Sequence, residues 1–177
     1  MQAVASTTAG TVDRVNEQSF TALLVPLVRP AYRLAVAMLH DGPAAEDVVQ
    51  DASLIAWRKL PRLKDQSRLR PWFFGIVANE CRNARRRHWF SRISLGLAPS
   101  LAVGSGEEGW VTRADVRRAL ARLSHEDRLV VNLYFYLDAP VAEIAEVMDA
   151  SVDATRQRLY RAVRRLRPDL EIEEALR

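Results

Sequence analysis

The chain has 177 residues, 49% of them hydrophobic and 27% charged, enough for one ordinary domain or two small ones with buried cores. Its 26 Lys and Arg stand against 22 Asp and Glu, a formal charge of only +4, so bulk charge alone names no anionic partner. The single cysteine, Cys81, excludes an internal disulfide and, with no Cys or His cluster around it, an ordinary cysteine-based zinc site.

Residues 1–17 are small and polar with no sustained periodicity, so a disordered N-terminal tail is expected. The start lacks the charged-then-apolar pattern of a signal peptide, and no later run of unbroken apolar residues approaches the ~18 of a membrane span. A cytoplasmic protein without membrane insertion is expected. From Phe20 the apolar positions Phe20, Leu23, Leu24, Leu27, Val28, Ala31, Leu34 and Ala35 recur at three and four, a helical stripe in which Pro26 and Pro30 are kinks or breaks. HDGPAAED reads as a turn into a second helix, with Gly42 and Pro43 as punctuation and Glu46 and Asp47 in the first turn, where the helix dipole favours acids. That helix runs to about Leu60. Val48, Ala52, Ile55 and Ala56 can face inward, leaving Asp47, Gln50, Asp51, Leu54 and Arg58 on an outward strip. Two acids one turn apart could hold a metal or form a catalytic dyad, but no third ligand or histidine accompanies them. A solvated face, or a protein-docking face with Leu54 at its centre, suits the strip better.

LPRLKDQSRLRP breaks the pattern, and Pro71 suits the first position of the next helix, WFFGIVANECRNARRRHW. Phe73, Val77, Cys81 and Ala84 make its apolar line, so Cys81 is a core residue rather than a reactive thiol. Asn79, Arg82, Asn83 and Arg86 lie on the other side. The zone from Pro61 to Arg92 holds nine Lys and Arg against Asp65 and Glu80. Asn and Arg interleaved with Trp72 and Trp89 suit contact with unstacked bases, since stacking contributes ~1–3 kcal/mol per base. Burial in a core is the competing reading of both tryptophans. Residues 91–112 are rich in Gly, Ser and Pro without a repeat and read as a linker. RADVRRALARL, SHEDRLVVNLYFYL, APVAEIAEVM and DASVDATRQRLYRAVRRL then follow with helical spacing, and Ser124 with Asp127 has the form of a capping box.

The last two of these segments have helix-turn-helix spacing, with a short turn at DAS. Val152, Leu159, Ala162, Val163 and Leu166 fall on the face that packs inward, and Arg156, Gln157, Tyr160, Arg161 and Arg164 share the opposite one. Arg can fork to guanine and Gln can pair with adenine in a major groove, so this face is equipped to read bases. Arg158 and Arg165 flank it, suited to phosphates. A solvated basic face on a structural helix has the same composition.

Over Phe20 to Leu166 the chain resembles the extracytoplasmic-function (ECF) sigma factors of the sigma-70 family, most strongly in AEDVVQDASLIAW, RPWFFGIVANECRNARRR and APVAEIAEVMDASVDATRQRLYRAVRRL. The resemblance implies that Asp47, Gln50, Asp51 and Leu54 contact core RNA polymerase. It also implies that Asn79, Arg82, Asn83 and Arg86 hold the opened minus-ten element of promoter DNA. The loop Leu63, Lys64, Asp65, Gln66 and Ser67 would capture a flipped-out base. Arg156, Gln157, Arg158, Tyr160, Arg161 and Arg164 would read the minus-thirty-five element. Asp153 stands where a glycine is usual in the family, Leu63 where an aromatic residue is and Asp65 where a glycine is. An anti-sigma protein is implied as a further partner.

The expected fold is therefore all-α: two small helical domains, residues 18–90 and 113–170, joined by the flexible linker 91–112, with the helix-turn-helix in the second and an acidic tail at 171–177. The expected function is a promoter-reading, DNA-melting subunit of RNA polymerase with no catalytic residue, cofactor or metal. A stand-alone helix-turn-helix regulator is the alternative, but it leaves the strip from Asp47 to Leu54 unemployed.

Overall fold

The structure is a computed structural model and describes residues 17–94 and 113–170. Among the described residues seven α-helices run in chain order: α1 (Glu17–Leu39), α2 (Gly42–Lys59), α3 (Leu69–Ser94), α4 (Arg113–Arg122), α5 (His125–Val131), α6 (Val141–Val147) and α7 (Val152–Leu170). A π-helical segment, Asn132–Tyr136, continues α5, and no strand occurs among the described residues. The all-α expectation is met. The tails, and the linker beyond Ser94, lie outside the described residues.

Each helix of the first half commits one face. Leu24, Ala31, Leu34, Ala35 and Met38 of α1 meet Val48, Val49, Ala52 and Ala56 of α2 and Phe73, Phe74, Val77, Cys81 and Ala84 of α3. These positions recur at three and four, so each helix presents a continuous apolar stripe to the other two. Pro26 and Pro30 lie inside α1 without ending it. By length and composition α1 could cross a membrane, yet its buried stripe belongs to this shared core.

Several local expectations change. Gly42 and Pro43 lie within α2, and Asp41 is the cap, its side chain accepting from Ala44 N at 3.0 Å. Glu46 and Asp47 thus fall past the first turn. Val49 is buried where Ile55 is only half-buried, and Val28 is exposed rather than packed inward. The segment before Pro71 forms two short 3-10 turns, Leu60–Arg62 and Gln66–Arg68, and α3 begins at Leu69. Pro71 therefore sits inside the first turn, where a proline ring leaves no helical hydrogen bond unmade. At its other end α3 extends to Ser94, into the expected linker.

The second half is built around α5. Ser124 caps it, accepting from Asp127 N at 3.1 Å. Asp127 does not complete the expected capping box; its nearly buried carboxylate accepts from Arg165 at 2.7 Å and Arg158 at 3.4 Å on α7. Arg128 is buried and donates to the carbonyls of Leu120, Ala121 and Leu123, which ties α4 to α5. The helix-turn-helix turn uses Asp149 at φ 50°, with Ala150 N donating to Ala145 O at 2.9 Å and Asp149 N to Glu146 O at 3.2 Å. That pairing closes the end of α6 in the manner usually reserved for glycine. On α7, Val152 is exposed, and Thr155 takes the inward place, its hydroxyl donating to Ser151 O.

The two halves touch. Helix α6 packs across α3, where Gly75 lies close enough that an added Cβ would sit 3.6 Å from Val147 O. Arg128 also donates to Met38 O at 3.0 Å, and Arg33 of α1 stacks 5.6 Å from the Tyr136 ring centre.

Candidate functional site

The chemistry-bearing residues fall on three surfaces. On the first, Asp47, Gln50, Asp51 and Leu54 are all exposed along α2, as the helical period requires. Leu54 is 54% exposed and Trp57, one turn on, 42%. Beside them runs a groove of about 620 Å³ between α1 and α2, lined by Phe20, Thr21, Val28, Val49, Gln50, Ser53, Leu54 and Trp57. Phe20 meets Trp57 edge-on at 4.9 Å between ring centres, so the groove has a fixed aromatic wall. An apolar trough that shares Gln50 and Leu54 with the strip of Asp47 and Asp51 can seat a partner helix with apolar residues at its centre and basic ones at its edge. Sequence reasoning missed Phe20, Val28 and Trp57. Positions 50, 54 and 57 share a helical face, which was the available signal.

The second surface is α3 with the loop before it. Asn79 and Arg86 are exposed, Arg82 and Asn83 half-buried. Asn79 Oδ1 accepts from Arg82 at 2.5 Å, Asn83 Oδ1 accepts from Arg86 at 2.5 Å, and Asn83 donates to Glu80 at 3.0 Å. The four expected residues thus form one polar row. Arg82 also makes an ion pair with Glu126 of α5 at 2.8 Å. In the loop, Leu63 is half-buried and Lys64, Asp65, Gln66 and Ser67 are exposed. Asp65 accepts from Ser67 N at 2.9 Å and from Ser67 Oγ at 2.6 Å, and those two bonds hold its carboxyl below the usual carboxylate range. Asp65 therefore shapes the loop as the cap of the second 3-10 turn. Trp72 is half-buried against the core, and the side chain of Trp89 lies outside the described residues.

The third surface is the outer face of α7. Arg156, Gln157, Tyr160 and Arg161 line one shallow hollow, with Tyr160 69% exposed, and Arg164 is exposed one turn beyond Tyr160. Arg158 stands apart, turned to Asp127. Asp153 does not cap the helix: Ser151 does, accepting from Ala154 N at 3.2 Å. Asp153 instead accepts from Arg156 at 2.8 Å, which orients that guanidinium. Cys81 is buried in the core, where desolvation pushes its thiol up to about 12, beyond any role as a nucleophile.

The chain matches Sigma-70 region 2 over residues 23–91 and Sigma-70 region 4 over residues 113–166. It is 31% identical over 145 residues to the ECF RNA polymerase sigma factor SigL of Mycobacterium tuberculosis, covering 79% of this chain and 82% of that one. It is 25% identical over 163 residues to the RNA polymerase sigma factor SigV of Bacillus subtilis, covering 90% and 98%. Among solved structures, the sigma factor RpoE bound to the anti-sigma factor NepR from Bartonella quintana superposes with a TM-score of 0.73 at 25% identity, over 89% of this chain and 99% of that one. CnrH in complex with the cytosolic domain of CnrY gives a TM-score of 0.68 at 25% identity, over 92% and 99%. With the two regions in family order on one all-α chain, the protein belongs to the ECF RNA polymerase sigma factors.

Proposed function

We propose that this sigma factor docks on core RNA polymerase through Asp47, Gln50, Asp51 and Leu54 together with the groove walled by Phe20 and Trp57. The observation that supports this reading most is the continuity of the acidic strip with that apolar groove on one outward face. Asn79, Arg82, Asn83 and Arg86 hold the opened minus-ten strand, and the loop from Leu63 to Ser67 takes an extruded base. Arg156, Gln157, Tyr160, Arg161 and Arg164 read the minus-thirty-five duplex. Arg158, paired with Asp127, chiefly fixes the docking angle of α7.

Residues 18–90 form the polymerase and minus-ten unit and 113–170 the minus-thirty-five unit. Two modest readers on one chain gain affinity by effective concentration. Unstacking a base costs a few kcal/mol, and capture of that base supplies it without ATP. The polymerase performs the catalysis, and the protein works in the cytoplasm. An anti-sigma protein, as in the RpoE complex, is the regulatory partner.

Retention of core polymerase and footprinting on promoter duplex separate these roles. Asp51→Arg is expected to lose core retention, whereas Arg156→Ala with Arg161→Ala keeps it and loses the upstream footprint. Equal loss of both properties in both variants would overturn the division of roles. A stand-alone regulator predicts a duplex footprint without polymerase, and it leaves the region 2 match without a task.

A further inference from the structure

From Val152 to Leu166, α7 carries five arginines and a single acid, Asp153, in its first turn. The arginines are held differently. Arg158 and Arg165 turn to Asp127 of α5, and Arg161 Nε donates to Gln157 O of its own helix at 3.3 Å. Arg156 is held on the outer face itself, its Nη1 donating to Asp153 Oδ1 at 2.8 Å. The helix does not need that carboxylate, because Ser151 supplies the cap. With side chains 65% and 83% exposed, the Arg156–Asp153 pair also contributes little to folding. A carboxylate on a face that meets a polyanion weakens binding to every sequence by repelling phosphate. That cost is recovered only at a base that offers a donor.

We propose that Asp153 is a specificity-determining residue of the minus-thirty-five reader: it fixes Arg156 on a guanine and admits only an amino-bearing base, cytosine or adenine, where its own carboxylate faces the adjacent base pair. The proposal rests on the assignment of α7 to that duplex. Asp153 takes Nη1, so Nε and Nη2 form a two-donor fork matched to O6 and N7 of guanine. A free arginine loses much rotamer freedom on binding, and a guanidinium already held loses less. The carboxylate is acceptor-only. It takes a hydrogen bond from N4 of cytosine or N6 of adenine and is repelled by O6 of guanine and O4 of thymine. Spaced by three, the two side chains lie one turn apart on one side of the helix, so they meet adjacent base pairs. Both belong to the N-terminal end of α7, the end of a recognition helix that reaches base edges.

The test uses core RNA polymerase reconstituted with the full chain. Its DNA is a promoter of this holoenzyme, found by mapping transcript starts, with the minus-thirty-five element randomised. Bound duplexes are sequenced for wild type, Asp153→Ala, Asp153→Asn, Arg156→Ala and the double variant Asp153→Ala with Arg156→Ala. Wild type is expected to select one guanine that Arg156→Ala releases. Asp153→Ala lowers the preference for that guanine on the order of tenfold and frees the neighbouring base, while the other positions keep their preferences. Its binding to unrelated duplex tightens, because a repulsion of phosphate is gone. Asp153→Asn admits guanine or thymine where wild type takes cytosine or adenine, since the amide adds a donor. In the Arg156→Ala background, Asp153→Ala causes no further change at the guanine. Selection by Asp153→Ala identical to that of wild type, while Arg156→Ala still releases a guanine, overturns the proposal and leaves α7 as the reader. Equal weakening at every position in Asp153→Ala gives the residue a structural role only and overturns it too. A wild type without preference in the element, or a preference unaltered by Arg156→Ala, refutes base reading by Arg156 and the proposal with it.

Discussion

His125 sits just after the α5 cap, 8% exposed, with desolvation as the main cause that drops its imidazole to about 4; Arg82, Arg85 and Arg128 push the same way, and Glu126 opposes them. The folded protein therefore holds this histidine neutral while the unfolded chain takes up a proton near pH 6.5. Between those values the unfolded state binds more protons, so stability falls as the pH drops from about 6.5 toward 4. Denaturant melts across that window are expected to show the slope in the wild type and a shallower one in His125→Leu. Asp149 carries a left-handed backbone that costs a non-glycine residue ~1–2 kcal/mol, partly offset by the entropy glycine loses on folding. Asp149→Gly should stabilise the protein by about 0.5–1 kcal/mol in the same melts. Asp127 works oppositely: Asp127→Ala leaves Arg158 and Arg165 without their anchor, and a loss of about 1–2 kcal/mol is expected with weaker binding of minus-thirty-five duplex. None of these roles was legible in the sequence, because each depends on what lies beside the residue in space. The capping spacing from Ser124 to Asp127 was visible, but the destination of the Asp127 carboxylate, 31 and 38 positions along the chain, was not.

At the scale of elements, periodicity carried most of the fold. The line Phe73, Val77, Cys81 and Ala84 is buried as its spacing requires, and Arg156, Gln157, Tyr160 and Arg161 share one face for the same reason. Errors fell at helix ends and at single mid-helix positions such as Val28 and Val49. Gly42 and Pro43 looked like breakers but are helical, because Asp41 supplies the cap and a proline is tolerated in a first turn. Thr155 replaced Val152 inside α7, since a hydroxyl that bonds back to the preceding turn can be buried without penalty. The α2 strip was read correctly as outward, whereas its apolar neighbour was not, because Phe20 comes from another helix. Leu54→Asp tests that surface: the side chain is exposed, so stability should change by no more than about 0.5 kcal/mol while affinity for core polymerase falls at least about tenfold. Circular dichroism melts and a core-binding titration check the two halves of that expectation.

Across the whole molecule, the order of region 2 and region 4 and the balance of charge become one arrangement. The net charge of +4 hides a separation: arginines crowd α3 and α7, and acids sit on the α2 strip and on α5 and α6. The sequence showed both basic zones, but it could not show that Arg70 meets Glu143 from 73 positions away. The central claim is that this chain confers promoter choice on core RNA polymerase. The most direct measurement is initiation by purified core polymerase on sheared genomic DNA, with and without the chain, read by sequencing transcript starts. Discrete start sites that appear only with the wild type, and vanish with Asp51→Arg and with Arg156→Ala plus Arg161→Ala, are the predicted result. A wild-type chain that neither joins core polymerase nor changes its start sites would contradict the account.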